Sequence, residues 1–71
     1  MEIDLFGKYL DTKQRLFIVI ERSAKIEVVN SSISLLPSTV KVLNVSEETV
    51  KQFNYYEFLD YVKKGILIRN K

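Results

Sequence analysis

The stretch Arg15-Leu16-Phe17-Ile18-Val19-Ile20-Glu21-Arg22 decides the fold. Five consecutive strongly β-prone apolar residues lie between charged ones. The run is too short for a buried helix and carries the β-branched and aromatic enrichment of a strand. Its charged flanks keep an aggregation-prone segment in check. Because every second residue is apolar on both sides, the strand offers two apolar faces, and both need an account.

Reading outward, Glu2–Leu10 alternates Ile3, Leu5 and Tyr9 against Glu2, Asp4, Phe6 and Lys8, which predicts a first strand. Asp11-Thr12-Lys13-Gln14 reads as a polar hairpin loop. Ser23-Ala24 is the expected turn after the second strand, although it lacks the Gly or Asn that tight hairpin turns favour. Lys25–Asn30 is expected as a third strand. Ser31–Thr39 holds four of the six serines and the single proline, so it reads as a loop with a short extended piece at Ile33–Leu35. Val40–Val45 resumes the strand pattern.

The remainder is helical in pattern. Tyr55, Phe58, Leu59 and Val62 fall at i, i+3, i+4 and i+7, a one-sided apolar stripe. Asn54 with Glu57 three residues on makes a capping box, and Gly65 supplies a left-handed stop behind Lys63 and Lys64. Ser46 followed by Glu47 and Glu48 suggests a separate helical turn over Glu47–Gln52. Ile66-Leu67-Ile68-Arg69 returns as a last strand. The expected fold is a single α+β domain over residues 1–71. It has a small antiparallel or mixed sheet of about five strands in the order β-β-β-β-α-β, with one C-terminal helix on one face. A small curled β-barrel with an appended helix is the alternative.

Composition narrows the chemistry. The chain has 71 residues with no Cys, His or Trp and only two Gly. Disulfides, thiol nucleophiles, Cys/His zinc sites and His-based triads are thereby excluded. Gly7 and Gly65 stand alone, so no glycine-rich loop cradles phosphate. Glu57 and Asp60, three apart on a helix, could share a metal ion, but Asp60 and Lys64 at i, i+4 read better as an ion pair on a solvated face. No enzyme activity and no small-molecule cofactor are expected. No leader precedes the first strand pattern and no apolar run suffices to span a membrane, so a cytoplasmic location is expected. Phe, Tyr, Met, Ile, Asn and Lys outnumber Gly, Ala, Arg and Pro by 28 to 7, as AT-rich coding DNA produces, and a bacterial or mobile-element source is the expectation.

Two partner classes remain. Residues 1–60 carry seven basic and nine acidic side chains, whereas residues 61–71 carry Lys63, Lys64, Arg69 and Lys71 and no acid. With Arg15 and Arg22, these four form the candidate nucleic-acid set, interleaved with aromatic residues that could stack on bases. The other class is protein. One strand face collects Ile3, Leu5, Leu16, Ile18, Ile20, Ile26, Val28, Val40, Val42, Ile66 and Ile68; the other collects Phe6, Phe17, Val19, Val29, Leu43 and Leu67. A single helix covers one face only. Either the sheet curls to bury both, or the second set forms an exposed apolar interface. The expectation is a non-enzymatic interaction module, a small regulator, inhibitor or adaptor. Its interface is Phe6, Phe17, Val19, Val29, Leu43 and Leu67, and its partner is a second copy or another protein.

Overall fold

In the computed structural model, which describes residues 2–70, the elements are β1 (Lys8–Leu10), β2 (Leu16–Val29), β3 (Ser32–Asn44), β4 (Thr49–Asn54), α1 (Tyr55–Lys63) and β5 (Ile68–Asn70). They form one five-stranded sheet in the order β4-β3-β2-β1-β5, antiparallel at every junction. The sheet is open, so the barrel alternative does not hold. The α+β order β-β-β-β-α-β is as expected, yet several strand boundaries are not.

The largest difference lies between residues 23 and 39. Ser23-Ala24 is no turn: the chain continues straight through it, and β2 pairs with β3 from Phe17↔Asn44 out to Val29↔Ser32. The reversal comes at Asn30-Ser31, with φ of 49° and 65°. Two successive left-handed residues are the signature of a type I′ hairpin turn, whose twist matches the flanking strands. Asn30 is the residue type that tolerates this conformation best after glycine. The supposed serine-rich loop is the returning strand. Pro37 is accommodated there beside a bulge at Ser23/Ala24, and a second bulge lies at Val19/Glu21.

Two further expectations are corrected. Glu2–Leu10 is not one strand, because the chain turns at Leu5-Phe6, with Phe6 at φ 62°, and the regular β1 ladder begins at Lys8. Glu47–Gln52 is not a helical turn. Residues 45–48 form the β3–β4 connection, where the Asn44 side chain accepts the Glu47 N–H at 3.2 Å, and β4 follows. Val50 and Phe53, which fit no helical stripe, fit strand alternation: Val50 pairs with Leu43 and Phe53 with Val40.

The helix forms as its sequence dictates. Asn54 accepts the N–H groups of Tyr56 at 2.9 Å and Glu57 at 3.3 Å. At the other end Gly65 takes φ 77°, its N–H donating to Val62 and that of Ile66 to Tyr61, a Schellman stop. The apolar stripe lies on the sheet. Phe58 is the centre of the core, edge-on to Tyr9 at 5.4 Å and 5.7 Å from Phe53. Ile3, Val19, Val40, Val42, Tyr55, Leu59 and Leu67 close around it.

The candidate protein-interaction surface

Hairpin β2–β3 is far longer than the body it belongs to. On the outer side β1 pairs only with Leu16–Ile18 of β2, and β4 only with Thr39–Asn44 of β3. From Ala24↔Pro37 to the tip, the two strands therefore project as a two-stranded arm. The molecule measures 47 × 24 × 18 Å, with a radius of gyration of 13.6 Å where a compact chain of this length has about 11 Å. Its accessible surface is 5241 Å², against about 4,600 Å² for a compact monomer of this mass.

The faces of the arm are unlike. Directly paired residues share a face, so Ala24/Pro37, Ile26/Leu35 and Val28/Ile33 line one side. The other side carries Lys25/Leu36, Glu27/Ser34 and Val29/Ser32. The apolar side follows Arg22/Val40 on the helix-bearing side of the sheet, and the Arg22 guanidinium donates to the Ile3 carbonyl at 2.9 Å. At the base, Glu2, Arg22, Ser23, Ala24, Pro37 and Tyr55 surround an open notch of about 260 Å³. Beyond it none of the described residues covers the arm: Ile26, Val28, Ile33 and Leu35 are 63–72% exposed. Four adjacent large aliphatic side chains this open are not the scattered singles of an ordinary surface.

The back of the sheet, opposite α1, is a second apolar area. The row Ile18–Leu43–Val50 and the row Ile68–Leu10–Leu16 cross it. Leu10, Leu16, Ile18 and Leu43 are half-buried by one another, and only Val50 and Ile68 at the rims are open. Lys8, and Lys41 paired with Glu21 at 3.4 Å, interrupt it. The helix thus leaves one face bare, as the two-sided strands require, but the face it covers is the one holding Phe17 and Val19.

That choice corrects the expected interface. Val19 is wholly buried and Leu67 nearly so, both beneath α1, and neither is available to a partner. Phe17 is half-buried at the core margin with the Arg15 guanidinium 5.9 Å from its ring. Phe6, Val29 and Leu43 are outside the core but lie at the turn before β1, at the arm tip and on the sheet back. The six do not form one surface. The exposed set is instead Ile26, Val28, Ile33 and Leu35, two assigned to the covered face and two to a loop. The signal that finds them is Asn30-Ser31 as a turn with aliphatic residues spaced symmetrically about it.

The candidate nucleic-acid set is dispersed, and three of its six members are paired with acids. Arg15 bonds Asp11 at 2.7 Å and lies 3.9 Å from Glu47. Lys64 pairs with Asp60 at 2.8 Å, as its spacing predicts, and Arg69 with Asp4 at 3.1 Å while lying over the Tyr9 ring. Lys63 closes the last turn of α1, and Lys71 lies outside the described residues. The Asp60 pairing holds the Lys64 ammonium above its ordinary pKa. At Asp11, burial pushes the carboxyl up, but hydrogen bonds from the Arg15 backbone and side chain and from the Lys13 N–H outweigh it and leave the pKa lowered.

No group of three His, Cys, Asp or Glu side chains that could hold a metal ion occurs among the described residues. No described helix is long and apolar enough to cross a membrane. Comparison with family models, with curated proteins and with solved structures finds no match.

Proposed function

We propose that this chain is a non-enzymatic protein-interaction module that contacts its partner through the β2–β3 arm. What supports the reading is one observation: an arm whose apolar side, Ile26, Val28, Ile33 and Leu35, is left open by its own fold. A two-stranded ribbon with neither face packed is marginal in water, and partner strands or a covering surface are what such a ribbon needs. An arm on a small rigid body suits a regulator, inhibitor or adaptor, which presents a surface rather than a reaction centre.

The test is photo-crosslinking in cells of the source organism with p-benzoylphenylalanine in place of Ile33. The expected result is a nuclease-resistant protein adduct that disappears when Ile26→Glu is added. Adducts that nuclease removes, or adducts indifferent to Ile26→Glu, would overturn the reading in favour of nucleic acid or chance contact.

A further inference from the structure

We infer that the arm's partner is a second copy of this chain, joined antiparallel along the free edge of β2; the inference rests on the arm being the contact surface. Three observations converge on that edge. First, Ser23–Val29 is paired by β3 on one side and, among the described residues, by nothing on the other. Its outward N–H and C=O groups are a template for another strand. Second, the opposite edge is blunted. The free part of β3, residues 32–38, contains Pro37, which has no N–H to donate, and bears no charge to set a register.

Third, one register of the β2 edge sets its opposite charges against each other. A two-fold axis through Ile26 places Lys25 opposite Glu27 of the second copy, twice by symmetry. On the other side it sets Ile26 against Ile26 of the second copy and Ala24 against Val28. A slip of one residue brings each apolar side next to a polar one. A shift of the two-fold axis to Lys25 or to Glu27 sets like charges directly opposite one another, which is unfavourable. The charge pattern Lys25-Ile26-Glu27 therefore selects the axis, and the alternation selects the face. The product is a four-stranded ribbon, β3-β2-β2-β3, with the apolar residues of both arms on one side. Four strands meet the requirement for a stable sheet that two do not. Each arm tip then reaches the base of the other, by the notch beside Tyr55 and Ala24.

The experiment is a charge exchange read by sedimentation equilibrium over micromolar to millimolar concentrations. Both positions are solvent-exposed and their strands are held elsewhere, and circular dichroism checks that each variant folds. Wild type should dimerise. Lys25→Glu and Glu27→Lys, each of which replaces two attractive cross-strand pairs by two repulsive ones, should each weaken dimerisation about tenfold or more. An equimolar mixture of the two variants should recover wild-type affinity as a heterodimer, because every opposed pair is again of opposite charge. A wild type monomeric throughout the range overturns the inference while leaving the arm's role in binding another protein to the crosslinking test. A dimer indifferent to either substitution, or a mixture that does not recover, overturns pairing along the β2 edge.

Discussion

Excising the arm separates what the hairpin does for the fold from what it does for a partner. The perturbation replaces Ile26–Leu35 by Asn-Gly, joining Lys25 to Leu36, which already face each other across the hairpin, through the preferred type I′ dipeptide. No residue of the buried core lies in the deleted segment. Its four large aliphatic side chains keep 63–72% of their surface in water, so each realises about a third of the ~1.5–3 kcal/mol that full burial supplies, or roughly 2–4 kcal/mol together. Ordering the deleted segment costs conformational entropy that this partial burial and the cross-strand hydrogen bonds together about balance, as in any marginal two-stranded ribbon. The isolated chain should therefore lose no stability on excision, and a change within about 1 kcal/mol or a modest gain is expected. Urea unfolding followed by tyrosine fluorescence, at concentrations below association, measures it. A loss of 3 kcal/mol or more, or an unfolding transition that ceases to be cooperative, would refute the reasoning, since it would mean that the arm belongs to the unit that holds the core.

Two perturbations of the body complete the contrast. Phe58→Ala removes the ring that is 1% exposed and that both Tyr9 and Phe53 pack against; it should cost about 3–5 kcal/mol in the same urea assay, enough to unfold a domain this small. Asp11 has a folded-state pKa below its unfolded value, so its contribution is present above the unfolded pKa of ~3.9 and is lost as pH falls through the lower folded value. Asp11→Asn should therefore lower the unfolding midpoint at neutral pH and flatten its fall between neutrality and strongly acidic pH; an acid limb as steep as that of wild type would contradict the hydrogen-bonded loop.

The parts of this fold that the sequence makes legible are those where local chemistry and tertiary structure agree. Asn54, Glu57 and Gly65 mark the helix because caps are local hydrogen-bonding devices. The stripe Tyr55, Phe58, Leu59 and Val62 names its buried side. The hairpin lacks such local marks, since its turn uses Asn30-Ser31 without glycine while Pro37 and the serines around it mimic a loop. Strand alternation also runs through bulges at Val19/Glu21 and Ser23/Ala24. The first puts its extra residue, Ile20, on β2 and the second puts Ser38 on β3, so a face extrapolated along β2 from Leu16 and Ile18 to Ile26 and Val28 changes side at Ile20. The order β-β-β-β-α-β holds nonetheless, because the expected turn at Ser23-Ala24 adds a strand while the expected helical turn over Glu47–Gln52 removes one.

The choice of covered face follows from the volumes on offer. Packed against Phe58, the side of the sheet bearing Tyr9, Phe17, Val19, Val42 and Phe53 interlocks rings with small β-branched residues and accommodates Arg69 over Tyr9 at the margin. The opposite side, Leu10, Leu16, Ile18, Leu43 and Val50, is aliphatic and broken by Lys8 and Lys41, and neighbouring strands shield most of it without a second layer. The body thus covers one face with α1 and leaves the side chains of the other half-buried, with Val50 and Ile68 open at its rims. The arm cannot do the same, since beyond Lys25 and Leu36 no third strand pairs with it among the described residues. A chain selected only for a stable monomer would end the hairpin at Lys25↔Leu36. Residues 26 to 35 instead extend it with alternating aliphatic side chains that cost order and return little burial within one molecule. Pairing of two arms along β2, in the register that Lys25 and Glu27 select, gives these side chains cross-strand neighbours and turns two marginal ribbons into one four-stranded sheet.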